Sequence, residues 1–183
     1  MAIHAVKETK ILRPLPAGRQ AFCRGLRIKF SIENLKSVKI FLKKKEGCQD
    51  LPVPRYATSG SSGVDLCADV NGEVILLPGD IELISAGIYI GIPEGYEAEI
   101  RPRSGLALKH GISLVNTPGT IDSDYRGLVN LIMINHGKEP FTIHRGDRVA
   151  QMIIKEVVRA EIEVTKDLDD TVRSHGGFGH TGG

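Results

Sequence analysis

Residues 116–127, Asn-Thr-Pro-Gly-Thr-Ile-Asp-Ser-Asp-Tyr-Arg-Gly, set two carboxylates, Asp122 and Asp124, beside the phenol of Tyr125 and the guanidinium of Arg126. A carboxylate within hydrogen-bond reach of a water can act as its general base. Asp at i and i+2 also serves plain turns, where the side chains bond nearby backbone N–H groups. A second segment, residues 101–107 (Arg-Pro-Arg-Ser-Gly-Leu-Ala), offers two guanidiniums, a hydroxyl and the backbone around Gly105. Arg is the preferred fork for phosphate, and a helix starting here would add its free N–H groups. The plain alternative is a turn with exposed Arg. A third segment places Phe178 between glycines, with Arg173 upstream and Thr181 downstream. An aromatic ring there has no core to join, but it could stack on a flat base while Arg173 and Thr181 reach phosphates. Two quieter segments hold Asp65 (Ser61-Ser-Gly-Val-Asp-Leu66) and Gln151 (Arg145-Gly-Asp-Arg-Val-Ala-Gln151). The Arg-Gly-Asp tripeptide is read as a strand turn rather than as an integrin ligand.

The elements that must position these groups read as strands. Apolar runs at 112–115 and 128–134 flank the carboxylate loop, the pattern of a hairpin. From residue 38 onward, short runs rich in Val, Ile, Leu and Tyr alternate with Gly, Pro, Asn and Asp breakers. Many short strands at such spacing indicate an all-β fold, a jelly-roll-like β-sandwich or barrel. Residues 96–100 and 161–164 alternate with period 2, as half-buried strands do. Only residues 105–109 have the makings of a short helical turn. The last eight residues contain five Gly and cannot pack a core. The expected organisation is a basic, poorly ordered extension at 1–36, a β domain at 37–170, and a flexible C-terminal arm at 171–183.

A chain of 183 residues, 41% of them hydrophobic, is the size of one domain with its own core. No apolar run approaches the ~20 residues of a membrane span, and no secretory apolar region is visible. Cys23, Cys48 and Cys67 are odd in number and far apart, giving neither a disulfide framework nor zinc spacing. A reducing, cytoplasmic setting is expected. The net charge of +2 hides an asymmetry. Residues 1–45 hold twelve Lys or Arg against Glu8 and Glu33, a net +10, which leaves −8 for the remainder. Such an arm could bind nucleic acid or target an organelle, but a charge block is more often a solvated tail, and that reading is preferred.

Taken together and in order, five segments resemble the motifs of the trimeric dUTPase family (dUTP diphosphatase). They are residues 57–66, 101–107, 116–127, 145–151 and 173–182, and the resemblance spans about 38–183. Five ordered motifs are far more specific than any one alone. The resemblance implies hydrolysis of dUTP to dUMP and pyrophosphate with Mg²⁺. That reaction keeps uracil out of DNA and supplies dUMP for dTMP synthesis. It also implies a homotrimer of jelly rolls with sites shared between subunits, each closed by a neighbour's arm. Asp122 would activate the water that attacks the α-phosphorus. Asn116, Gly119, Thr120, Ile121 and Asp122 would hold deoxyribose and uracil, with Tyr125 on the sugar face and Asn130 at the uracil edge. Arg103, Ser104, Gly105 and Gln151 would bind phosphate. Asp65 would meet Mg²⁺ through water, and Arg173, Phe178 and Thr181 would close over the ligand. The chain departs from the family pattern at Leu128, at Ser174 and His175, and at His180.

Two other readings compete. The dCTP deaminases share the fold but would need a different hairpin and an Arg-Ser-Ser-type segment, where this chain has Arg103-Ser-Gly105. A dUTPase-like binding protein without chemistry would have lost Asp122 or the Phe178 arm, and both are present. If residues 1–36 are an appendage, deleting them will leave folding and dUTP turnover unchanged. Loss of either, measured by melting and pyrophosphate release, would make the arm part of the working domain.

Overall fold

Ten short strands and one helical turn follow one another along residues 37–176, the part of the chain described by this computed structural model. They are β1 (Phe41–Lys44), β2 (Val64–Cys67), β3 (Glu73–Leu76), β4 (Ile81–Gly91), β5 (Tyr96–Pro102), α1 (Ser104–His110), β6 (Ile112–Leu114), β7 (Gly119–Ile121), β8 (Leu128–Asn135), β9 (Phe141–His144) and β10 (Arg148–Glu156). The compact unit that contains them begins at Val38. The expectations for residues 1–36, and for Phe178 and Thr181 in the arm, fall outside the described residues.

The strands form two four-stranded sheets, β1-β4-β8-β6 and β2-β10-β5-β7, with β3 and β9 as a separate ribbon. All the pairings are antiparallel. Alternation along β8 shows why the sheets stack. Val129, Leu131, Met133 and Asn135 point inward and are buried, while Asn130, Ile132 and Ile134 face out. Across the interior, Leu66, Ala98, Ile100 and Met152 of the second sheet join Ile84, Ile88, Leu131 and Met133 of the first in one apolar cluster. Two inner faces sharing one core is the β-sandwich solution.

The expected hairpin is present: Ile112 pairs with Asn135 and Leu114 with Met133. Its loop does more than turn. Residues Gly119–Ile121 cross to the other sheet as β7 and pair with β5, Ile121 opposite Ala98 and Gly119 opposite Ile100. The carboxylate loop is thereby tied to both sheets.

One expectation fails. Residues 161–164 are not a strand, and Ile162 and Val164 are 87% and 94% exposed. Alternation marks a segment able to join a sheet, but an edge must be adjacent. Beyond Glu156 no strand or helix occurs among the described residues.

Asn135 is a fully buried polar side chain in the core. Its Nδ2 donates to the carbonyls of Leu76 and Glu139, each at 2.9 Å, and its Oδ1 accepts from the Gly137 N–H at 2.8 Å. It thus pins β8, the end of β3 and the turn into β9. Asn135→Ala leaves three backbone groups without this partner and should cost about 2–4 kcal/mol, read as a lower urea midpoint at unchanged slope.

Candidate active site

Two groups of side chains emerge, one at each end of β5. The first is built on the loop after β7. Thr120, Ile121, Asp122, Tyr125, Leu128, Val129 and Asn130 line a hollow of about 150 Å³. Ile121 and Val129 are buried and form its floor, while Thr120, Asp122, Tyr125 and Asn130 are exposed at its rim. A turn shapes the rim: the Tyr125 N–H donates to the Asp122 carbonyl at 3.2 Å. The Tyr125 hydroxyl donates to the Leu128 carbonyl at 3.0 Å, folding the ring back over Gly127. Arg126 donates to the carbonyls of Ser123 and Tyr125, both at 2.7 Å, so its guanidinium braces the loop. Asn116 packs against Gly119, where an added Cβ would lie 3.1 Å from its Nδ2. Asn130 stands opposite Ser85 in the β8–β4 pairing.

The second group lies where β5 runs into α1, beside β2 and β10. Gln151 is opposite both Asp65 and Arg101, because β10 is paired on both edges. Asp65 Oδ1 accepts from Arg103 Nε and its Oδ2 from an Arg148 terminal nitrogen, each at 3.0 Å. Arg103 also donates to the Arg148 carbonyl at 3.0 Å. Gln151 Nε2 donates to the Pro102 carbonyl at 3.0 Å, and its Oε1 faces Gly63, where a Cβ would lie 3.1 Å away. Ser104 and Gly105 open α1 and are exposed, and the first N–H groups of a helix have no intrahelical partner. This is a cluster of fixed donors, two guanidiniums held in place by one carboxylate, and it suits a polyanion.

Arg101 is not available to this cluster. On the same face as Gln151, it is taken up by Glu99, which also accepts from Lys155 Nζ at 2.7 Å. Hydrogen bonds from Lys155 and then Arg101 hold Glu99 below the usual carboxylate range. Arg148 was missed by sequence reasoning. Its signal was an Arg three residues before Gln151 in the same segment. Arg173, in the described part of the arm, is exposed, and its Nε donates to the Gly176 carbonyl at 2.8 Å.

The two groups are far apart within one chain. Asp122 follows Ile121, which pairs with Ala98, whereas Arg103 follows Pro102 at the opposite end of β5. At about 3.3 Å per residue, that is roughly 15–20 Å along the strand. No group of three or more His, Cys, Asp or Glu able to hold a metal occurs among the described residues.

The fold is an all-β two-sheet sandwich that displays a carboxylate loop at one end of β5 and a guanidinium cluster at the other. The family model for dUTPase matches residues 49–182. A deoxyuridine 5′-triphosphate nucleotidohydrolase of Caldanaerobacter subterraneus is 56% identical over 146 residues, covering 80% of this chain and 99% of its own. That of Syntrophotalea carbinolica is 50% identical over 143 residues, covering 78% and 97%. Among solved structures, the dUTPase of Staphylococcus bacteriophage 80alpha with dUPNHPP superposes with a TM-score of 0.71 at 20% identity, covering 80% of this chain and 99% of that one. A dUTPase mutant from phage phi11, described as coordinating a structural Mg(II) ion, gives 0.63 at 18% identity, covering 71% and 98%. These structures bear on the fold alone. The chain belongs to the dUTPase family.

Gly127 tests the loop. A Cβ there would lie 2.2 Å from the Tyr125 hydroxyl oxygen, so Gly127→Ala must swing the ring away and break its bond to Leu128. We expect nucleotide affinity to fall roughly tenfold while the melting temperature moves little, because the displaced group is the far end of an exposed side chain.

Proposed function

We propose that this chain hydrolyses dUTP to dUMP and pyrophosphate. The observation that carries the reading is the exposed Asp122 at the rim of a small hollow floored by Ile121 and Val129, in a member of the dUTPase family. Asp122 would accept a hydrogen bond from a water and take its proton as the oxygen attacks the α-phosphorus. The bond from that phosphorus to the bridging oxygen breaks, and pyrophosphate departs with the electron pair. Asn116, Gly119, Thr120, Ile121 and Asn130 would hold the nucleoside, with Tyr125 against the sugar. A pocket that pairs the uracil edge through backbone groups would reject cytosine, whose donor pattern is reversed, and a close fit would reject the thymine methyl.

Arg103, Ser104, Gly105 and Gln151 would bind the phosphate oxygens, and we add Arg148 to that set. Each oxygen of Asp65 accepts one guanidinium bond, leaving lone pairs for further donors, and its side chain is 27% exposed. That donor set suits a hydrated Mg²⁺ held chiefly by phosphate, with Asp65 receiving its waters, better than direct protein ligation. When bound, Mg²⁺ would neutralise charge on the phosphate oxygens. Arg173, Phe178 and Thr181 would close over the ligand as part of an arm at 171–183.

The separation along β5 supports a homotrimer with shared sites. If one copy supplies the Asp122 loop and another the Arg103 cluster, the two come together only in the assembly. Residues 1–36 stay outside this scheme as an appendage. Pyrophosphate release from dUTP, dCTP, dTTP and UTP with Mg²⁺ tests it. We expect turnover of dUTP alone, and a fall of about 10²–10⁴-fold in Asp122→Asn with dUTP still bound. Ammonia release from dCTP, or binding without turnover in the wild type, would refute the proposal.

A further inference from the structure

The strongest unassigned feature is a clamp around Asp69, just beyond β2. Its side chain is 5% exposed yet ionised. Burial pushes its pKa up, but hydrogen bonds from Lys45 and Arg145, then Cys48 and Ser85, outweigh it and hold the group well below the usual carboxylate range. Oδ2 accepts from Lys45 Nζ at 2.7 Å and from Ser85 Oγ at 3.0 Å, and Oδ1 accepts from Arg145 at 2.5 Å. Arg145 is itself held on its other sides. It grips both oxygens of Asp50 at 2.9 Å and donates to the Gly47 carbonyl at 2.7 Å. A carboxylate this buried needs all these partners, so they fix one another's positions.

Two β-bulges meet this clamp. On β4 the register slips between Ser85 and Tyr89, opposite Asn130 and Leu128 of the nucleoside-side hollow. Ser85 holds that bulge by accepting the Gly87 N–H at 3.0 Å while donating to Asp69. Gly87 cannot carry a side chain there, since it has φ +66° and a Cβ would lie 2.9 Å from Cys48 Sγ. On β10 the register slips between Arg148 and Ala150, and this slip lets Arg148 reach Asp65. Arg145 opens the turn into that strand. The Ala68 N–H donates to the Asp147 carbonyl, and the Gly146 N–H to the Ala68 carbonyl, both at 2.8 Å. Bulges next to functional sites re-aim side chains.

We propose that Asp69 is a positioning residue for both halves of the site, setting the nucleoside-side bulge through Ser85 and the phosphate-side bulge through Arg145. This rests on the functional reading above. It separates into two arms because the two partners are different residues. Ser85→Ala should weaken dUMP binding and lower the preference for dUTP over dTTP, leaving pyrophosphate binding as in the wild type. Arg145→Lys should weaken pyrophosphate binding and raise KM for dUTP, leaving the dUTP preference intact. Asp69→Asn should do both, with kcat changed far less than KM. We expect each affected affinity to fall roughly tenfold, as small misplacements of binding groups do.

Titration calorimetry with dUMP and with pyrophosphate reads the two halves separately, and steady-state turnover gives KM and kcat. Asn135→Ala serves as a folded control that lowers stability without touching the clamp. If Ser85→Ala and Arg145→Lys melt cooperatively and leave both affinities unchanged, as Asn135→Ala should, or shift both affinities alike, the clamp is merely structural and the proposal fails. Those two variants decide the matter even if Asp69→Asn does not fold. A wild type that binds dUMP and pyrophosphate but does not turn over dUTP refutes the hydrolase reading without affecting this one.

Discussion

The pairing of β10 with two neighbours at once is the constraint on which the guanidinium cluster of this protein depends. A strand hydrogen-bonded along both edges cannot slide on one without breaking the other, and a slip of one residue would turn every side chain to the opposite face. Gln151 therefore has fixed neighbours, Asp65 on β2 and Arg101 on β5. The inward residues of the same strand, Ala150 and Met152, sit in the core, so apolar burial and site geometry specify one register. The bulge at the start of β10 is a local exception to that register, and it occurs where Arg148 must reach a carboxylate two positions away on β2.

The electrostatics follow from this frame. Asp65 between Arg103 and Arg148 keeps two like charges close to each other, which they would otherwise avoid. Surface ion pairs contribute little to stability, and half-exposed ones such as these are better understood as geometry. The carboxylate pre-sets the guanidiniums, so an arriving polyanion meets donors already oriented. Glu99 does a different job on the same sheet. It engages Arg101 and Lys155, which leaves Arg103 as the segment's guanidinium beside α1. Arg101 and Arg103, two residues apart, share a face by strand alternation, and what separates them is the carboxylate each one meets, Glu99 for the first and Asp65 for the second.

Much of this was legible in the sequence. Turn residues between short β-branched runs announced a sandwich, and the runs around the carboxylate loop paired as expected. Asp122, Tyr125 and Asn130 gathered around one hollow, and Arg103, Asp65 and Gln151 around one cluster. What escaped was of three kinds. The crossing of β7 to the second sheet was hidden because three residues, Gly-Thr-Ile, carry too little pattern to register as a strand. Residues 161–164 erred the other way: their alternation is real, but alternation states what a segment can pair with, not whether an edge is within reach. The contact between Asp69 and Arg145 was hidden for a third reason. Their partners lie on segments distant in sequence, Lys45, Asp50 and Ser85, and no local spacing encodes such a meeting.

The distance along β5 carries the argument beyond one chain. A strand of seven residues is stiff and its ends do not approach each other, so no rearrangement of loops within this chain joins Asp122 to Arg103. A water activated at one end is useless to a phosphate held at the other. In the reading proposed above, assembly closes that gap, and the rigidity that separates the halves within a chain would then align them between chains. In that reading each copy's two surfaces would have to be correct together while serving different substrate molecules. The Asp69 clamp lies where the two sheets meet, between the bulge that faces Asn130 and the bulge that aims Arg148. A single buried carboxylate at that junction can keep both surfaces in register with one fold.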